Sequence, residues 1–246
     1  MRVIISGAFG FMGRAVAARV AETEGAVTVC GVDIASGQAA FPVVDRIESF
    51  NGGADVIIDF SHHSQTAALC AYAVKRGIPL VVSTTGQTEA EKDCIAAAAE
   101  KIPVFMSGNM SLGVALLRKL CRKAAEVLEG ADIEIIEKHH NRKLDAPSGT
   151  ALMLAKAVQE VRTDCVPVYD RHSAHTPRRK NELGIHSVRA ANIVGEHEVL
   201  FALPNEHITL SHSAFSRELF ADGALKAALF LVGKSAGLYG MDELLG

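Results

Sequence analysis

Glu137-Lys138-His139-His140-Asn141-Arg142-Lys143 places two imidazoles and three strong cations within seven residues of a chain whose formal net charge is −3. Such local density attracts a small polyanion, and imidazole and amine groups with tuned pKa values donate protons near neutral pH. Leu144-Asp145-Ala146 then leads into Pro147-Ser148-Gly149-Thr150, which opens an apolar helical run, Ala151-Leu152-Met153-Leu154-Ala155. The start of that helix is a second anion site. No Glu or Gln stands at its third position to close a capping box, which leaves its N–H groups available to a carboxylate. The bland alternative makes His139 and His140 a solvated loop pair and Lys138, Arg142 and Lys143 an exposed charge run. The Pro-Ser-Gly-Thr start tips the balance toward chemistry. A zinc site is disfavoured, since adjacent histidines on a strand point to opposite sides and no third ligand sits at the usual spacing.

A second constellation lies at the start of the chain. Val3-Ile4-Ile5-Ser6 runs into Gly7-Ala8-Phe9-Gly10-Phe11-Met12-Gly13 and on into Arg14-Ala15-Val16-Ala17. This is strand, glycine turn, helix. The first glycine permits the tight turn, the second lets the backbone approach a pyrophosphate, and the third permits close helix packing, with free N–H groups facing the phosphates. A glycine turn that merely closes a strand-helix unit would look similar, but Asp33 ends the next apolar run, where a carboxylate accepts from adenosine ribose hydroxyls. The same carboxylate repels a 2′-phosphate, and Ile34 adds no cation. NADH is therefore expected to serve at least as well as NADPH. At the carboxyl ends of later strands, residues 61–64, Ser83, Thr84, Thr85 and Gly86, and Ser107, Gly108, Asn109 and Met110 either line the inner half of the cofactor or cap and turn the chain.

These residues require a scaffold. Short apolar runs at 3–6, 27–32, 55–60, 80–83 and 104–106 alternate with helical runs at 13–23, 64–76 and 89–101. Strands apolar on both faces and separated by helices imply a Rossmann-like, doubly wound parallel sheet. Beyond about residue 113 the pattern changes: helix 114–129, strand 131–136, a polar loop, helix 151–161, then strands 185–190, 198–202 and 207–212. That succession predicts a second, α+β domain with an open mixed sheet. Helix 218–232 is amphipathic and needs a partner such as the first sheet. The expected division is 1–109 plus 217–246 for a dinucleotide-binding domain and 110–216 for substrate binding and oligomerisation. Residues 171–182 form the most polar segment, expected to be a mobile loop.

Composition sets outer limits. With 246 residues, 49 % apolar and 22 % charged, 21 Gly and 7 Pro, the chain is globular rather than fibrous or disordered. Its mild negative charge argues against nucleic acid or an acidic membrane as main partner. Five separated cysteines without a C-x-x-C pair suit a reducing compartment and read as small core hydrophobes. No uncharged apolar run reaches a membrane-spanning length, and Gly7, Gly10, Gly13 and Arg14 spoil a signal-peptide reading of the start.

From Glu134 to Ala151 the sequence closely resembles the signature E-x-x-E-x-H-H-x-x-K-x-D-A-P-S-G-T-A of the dihydrodipicolinate reductase (4-hydroxy-tetrahydrodipicolinate reductase) family of lysine and diaminopimelate biosynthesis. Supporting matches are residues 7–13, Asp59-Phe60-Ser61, Thr84-Thr85-Gly86, Asn109-Met110-Ser111-Leu112-Gly113, Ser187-Val188-Arg189 and Gly195-Glu196-His197. The resemblance implies reduction of a cyclic imine dicarboxylate by NADH or NADPH, with His139 as catalytic acid or base and Lys143 as proton donor. It implies that His140, Ser148, Gly149 and Thr150 hold the substrate carboxylates. Gly7, Ala8, Phe9, Gly10, Phe11, Met12, Asp33, Ser83, Thr84, Thr85, Ser107, Gly108, Asn109 and Met110 would line the cofactor. It further implies a cytoplasmic homotetramer, built through the second domain's sheet; that no metal is expected rests on the histidine spacing alone. Ser83, Met110 and Ala191 depart from the usual family residues and bear on the fine shape of the nicotinamide pocket. Other readings are a different two-domain nicotinamide dehydrogenase, for which no cysteine sits in a catalytic context, and a non-catalytic NAD-binding module, which leaves residues 137–150 without a role.

Overall fold

The computed structural model describes residues 1–172 and 174–246. In chain order the elements are β1 (Arg2–Ser6), α1 (Phe11–Glu22), β2 (Val27–Val32), β3 (Val43–Val44), β4 (Val56–Asp59), α2 (Thr66–Arg76), β5 (Leu80–Val82), α3 (Glu89–Ala99) and β6 (Pro103–Met106). They continue with α4 (Leu112–Val127), β7 (Asp132–His139), α5 (Gly149–Gln159), β8 (Val166–Val168), β9 (Glu182–Arg189), β10 (Gly195–Leu203) and β11 (Glu206–Ala214). Last come α6 (Leu219–Leu231), β12 (Gly237–Tyr239) and α7 (Met241–Leu245). The chain divides into two compact units, Met1–Leu112 with Arg217–Gly246, and Gly113–Ser216.

The first unit is a parallel sheet in the order β12-β6-β5-β4-β1-β2-β3. Its central strands carry Val3, Ile4, Ile5, Val56, Ile57 and Ile58, all fully buried, because helices cover both faces. Chain order reverses between β1 and β4, which pair with each other, so the crevice for a ligand opens at their carboxyl ends. Helix α6 packs on α1 and on β4, β5 and β6, the partner its apolar face requires. Arg19 of α1 reaches Glu218 at 3.0 Å and Asp222 at 2.9 Å beside it. The doubly wound fold expected from the sequence is thus present, with two short edge strands, β3 and β12, that were not anticipated.

The second unit is a mixed sheet, β11-β10-β7-β9-β8, in which β7 runs parallel to β9 and antiparallel to β10. One face of this sheet bears Ile133, Ile135, Leu183, Ile185, Val199 and Phe201, packed with Leu117 and Cys121 of α4 and Leu154 and Val158 of α5. Burial alternates along β7, so Glu137 and His139 continue the same inward row as Ile133 and Ile135. This corrects the expected strand end at 136. A row that begins apolar and ends ionic defeats a pattern that looks for apolar alternation alone. The polar segment at 171–182 also differs from a free loop: Arg178 binds Glu134 at 2.9 Å and Asp132 at 2.7 Å, and Arg171 pairs with Glu182. Position 173 of that segment lies outside the described residues. Cys30, Cys70, Cys121 and Cys165 are buried free thiols and Cys94 is half-buried. Burial pushes the Cys70 and Cys121 thiols up to about 12, as befits core residues.

Candidate active site

At the carboxyl ends of β1 and β4 a cavity of about 720 Å³ is lined by Ser6, Gly7, Phe9, Gly10, Asp33, Phe60, Ser61 and Gln65, among others. The glycines there are fixed by lack of room. A Cβ on Gly7, whose φ is +80°, would lie 2.6 Å from the Phe60 carbonyl oxygen, and one on Gly13 would lie 2.0 Å from the Gly7 oxygen. Gly10 caps α1 without a side chain, so first-turn amides of that helix are left for a phosphate. Asp33 is held by its own neighbourhood: Phe9 N donates to one carboxylate oxygen at 2.8 Å and Ala35 N to the other at 2.9 Å. Each oxygen keeps a further lone pair for a ribose hydroxyl.

Behind the cavity, Asp59 is fully buried and gathers the loops after β4 and β5. Its carboxylate accepts from Ser61 N at 2.9 Å, Ser61 Oγ at 2.6 Å and Thr84 Oγ1 at 2.9 Å. Burial pushes the carboxyl above the usual carboxylate range, against the pull of hydrogen bonds from Ser61 and Thr84. Sequence reading gave Asp59 no role. The Ser83 hydroxyl nearby is buried without a protein partner, an acceptor or donor left over for a ligand. Two expected lining residues sit differently. Met110 is buried, its carbonyl against Gly223 of α6, and Ala8 is buried against Gly31, so their side chains support the cofactor loops from within the core. Ser107 and Asn109 brace their own turn, Asn109 N donating to Ser107 Oγ at 3.2 Å and Ser111 N to Asn109 Oδ1 at 2.9 Å.

The second unit concentrates charge at the end of β7. Glu137 is fully buried, and Arg189 of β9 meets it with both terminal nitrogens, at 2.9 and 2.8 Å. His139 Nδ1 lies 2.6 Å from the same carboxylate, and Ser148 N donates to it at 3.2 Å. Burial alone would push the Glu137 carboxyl up; hydrogen bonds from Arg189, Ser187 and His139 outweigh it and hold it at about 2. Ser148 caps α5 by accepting from Ala151 N at 3.2 Å, so its side chain takes one of the first-turn amides expected to be open. Its hydroxyl also lies 3.0 Å from His197 Nε2 of β10. His197 is buried, with its ring edge-on to His139 at 5.2 Å between centroids. Burial, and next the neighbouring His139, bring its imidazole down to about 4, so it is neutral at pH 7.

Of the other expected site residues, Lys143 pairs with Asp145 at 2.7 Å, His140 is half-buried, and Gly149 and Thr150 form the first turn of α5. Lys138 turns to the other face of the sheet, where it meets Glu196 at 3.0 Å, and Arg142 donates to Asn192 at 3.1 Å. Among the described residues no group of His, Cys, Asp and Glu could hold a metal ion.

Comparison with known proteins bears on both units. Residues 1–110 match the family model for the N-terminus of dihydrodipicolinate reductase, and residues 113–245 match the one for its C-terminus. The chain belongs to the dihydrodipicolinate reductase family. A 4-hydroxy-tetrahydrodipicolinate reductase of Caldanaerobacter subterraneus subsp. tengcongensis is 50 % identical over 246 residues, covering 100 % of this chain and 98 % of that one. One from Clostridium tetani is 41 % identical over 247 residues, covering 100 % and 97 %. The dipicolinate-bound dihydrodipicolinate reductase from Paenisporosarcina sp. TG-14 superposes with a TM-score of 0.84 at 26 % identity, covering 99 % of this chain and 98 % of that one. Family membership makes the chain an oxidoreductase that uses NADH or NADPH. The crowded glycines, the open α1 start, Asp33 and the orphaned Ser83 hydroxyl fit that cofactor.

Proposed function

We propose that this chain reduces 4-hydroxy-tetrahydrodipicolinate to tetrahydrodipicolinate in lysine and diaminopimelate biosynthesis, binding the cofactor with residues 1–109 plus 217–246 and the substrate with residues 110–216. The observation that carries this reading is the buried His139 beside the amide-rich start of α5, with Lys143 in the loop that joins them. Loss of the 4-hydroxyl as water leaves a ring with a C=C bond conjugated to C=N. Gly7, Gly10 and Asp33 of the first unit would hold the reduced nicotinamide cofactor, which would supply the hydride for the ring carbon at the far end of that system.

The protein's residues hold the ring and manage the proton. His140, Ser148, Gly149 and Thr150 receive the two carboxylates, helped by first-turn amides of α5. Fixing both ends of a small rigid ring removes most wrong orientations, an effect worth several kcal/mol of barrier in well-oriented reactions. His139 and Lys143 protonate the enamine that hydride addition generates, returning it to the cyclic imine, His139 as acid or base and Lys143 as donor. A substrate carboxylate competes with Asp145 for the Lys143 ammonium. Asp33 favours NADH at least as much as NADPH, because its carboxylate repels a 2′-phosphate.

We place the enzyme in the cytoplasm, in keeping with its buried free thiols, and assign it a homotetramer built through the open face of the second unit's sheet. Among the described residues no helix is long and apolar enough to cross a membrane. The direct test is NADH consumption by purified protein supplied with the product of dihydrodipicolinate synthase, with pyridine-2,6-dicarboxylate as competitive inhibitor. NADH that binds but is not consumed would refute the assignment.

A further inference from the structure

We propose that Glu137, clamped by Arg189, is a positioning residue that fixes the proton of His139 on Nδ1 and so makes Nε2 the atom that exchanges the proton with substrate. This rests on the reading of His139 given above and extends it to residues that touch neither substrate nor cofactor.

The argument starts from proton counting. A hydrogen bond of 2.6 Å between His139 Nδ1 and Glu137 Oε2 needs one proton between them. Glu137 carries none: a buried carboxylate facing a bidentate guanidinium, a hydroxyl of Ser187 and the Ser148 amide is an acceptor on every side. The proton therefore sits on Nδ1. In the neutral ring Nε2 is then a bare acceptor, and in the cationic ring it is the only N–H that is not committed to Glu137.

The surroundings of Nε2 agree. A Cβ added to Gly195 of β10 would lie 3.1 Å from Nε2, so glycine leaves clearance at this atom. Gly195 is not in a left-handed conformation, and its small size here answers to the imidazole rather than to the backbone. Other charged and titratable groups face His139 and the His197 ring packed on it: Arg189 on β9, which shares Glu137 with His139, and Lys143 in the loop before α5 and His212 on β11, both of which act on His197. None of them competes for Nδ1. Glu137 also accepts from Ser148 N, the cap residue of α5, so the same carboxylate holds the proton-exchanging ring and the carboxylate-binding helix start in one frame.

The experiment has two parts. Nitrogen NMR of isotopically labelled histidine in the wild-type protein, with His139 assigned by comparison with His139→Gln, reads the tautomer directly; the proposal requires the proton on Nδ1. In the second part, Glu137→Gln keeps a single acceptor oxygen; Ser148 N, a donor that cannot switch, claims it on the Oε1 side, so the amide NH2 faces Nδ1 and drives the proton to Nε2. Its kcat should fall about a hundredfold or more, while affinity for pyridine-2,6-dicarboxylate and for NADH moves less than about fivefold. Glu137→Asp, which keeps the charge, should recover to within about tenfold of wild type. A wild-type His139 protonated on Nε2, or a Glu137→Gln enzyme with kcat within about threefold of wild type while His139→Gln is inactive, overturns the proposal. Should Glu137→Gln fail to fold, the wild-type tautomer decides alone. Full turnover by His139→Gln would instead refute the role given to His139 while leaving the reductase assignment standing, which falls only if the wild-type protein consumes no NADH.

Discussion

At the carboxyl ends of β1 and β4 the groups that meet an anion are backbone amides and the room beside them, whereas at the end of β7 they are ionised side chains locked to one another. Gly7, Gly10 and Gly13 contribute by what they lack, and the two carboxylates beside that cavity, Asp33 and Asp59, are held by neutral donors. Glu137, His139 and Arg189 contribute charge, each fixed by the next. A pyrophosphate that only has to be bound is well served by rigid amides. A ring that must receive a proton requires groups whose protonation is set in advance. The first kind of site breaks when atoms are added, the second when charges are moved.

The largest effect expected from this contrast is at Lys143. Lys143→Ala should lower kcat by about 10² to 10⁴ if the amine transfers a proton, and steady-state kinetics would recast it as a carboxylate clamp if only KM rises. On the other side, Gly13→Ala forces a methyl group to 2.0 Å from a backbone oxygen that cannot swing away. NADH affinity, measured by fluorescence titration, should drop by about 10- to 100-fold, with pyridine-2,6-dicarboxylate binding retained. Gly195→Ala crosses the two categories, adding atoms to the charged site. It should reduce kcat about tenfold through crowding at His139 Nε2, with NADH affinity untouched; a silent substitution would show that this clearance is not used.

The mildest difference is in acid. His197 is lowered to about 4 from an unfolded value near 6.5, so the stability its neutral form contributes is complete above about pH 6.5 and is lost as pH falls toward 4. Glu137, lowered to about 2, adds a further loss below its unfolded value of about 4.3. Asp59 has the opposite sign: its carboxyl is raised by burial, so ionisation weakens the first unit at neutral pH and acid relieves it. Hydrogen exchange followed from pH 7 downward should show β7 and β10 amides losing protection before those of β1 and β4. The reverse order would mean that these titrations do not govern local stability.

Much of the scaffold was legible because parallel strands buried on both faces are written as unbroken apolar runs, as at Ile57 and Ile58. The strand carrying the charged cluster was less legible. Glu137 and His139 look like loop residues until Arg189 is placed opposite them, and that partner stands 52 positions along the chain. His197 was hidden in the same way, since its meeting with Ser148 depends on the pairing of β10 with β7. Asp33 stands where the strand-turn-helix pattern puts it, yet its hydrogen bonds to Phe9 N and Ala35 N depend on a backbone path that composition does not specify. Met110 shows the converse: a residue that looks available in sequence is sealed by α6, which follows more than a hundred positions later.

A crystal structure of the protein with both NADH and pyridine-2,6-dicarboxylate tests the account most directly. The account predicts the dicarboxylate with its carboxylates on the Ser148-Gly149-Thr150 turn and His140, its ring within proton-transfer reach of His139 Nε2 or Lys143 Nζ, and the nicotinamide stacked against that ring. A dicarboxylate bound elsewhere, with the end of β7 left facing solvent, would contradict it.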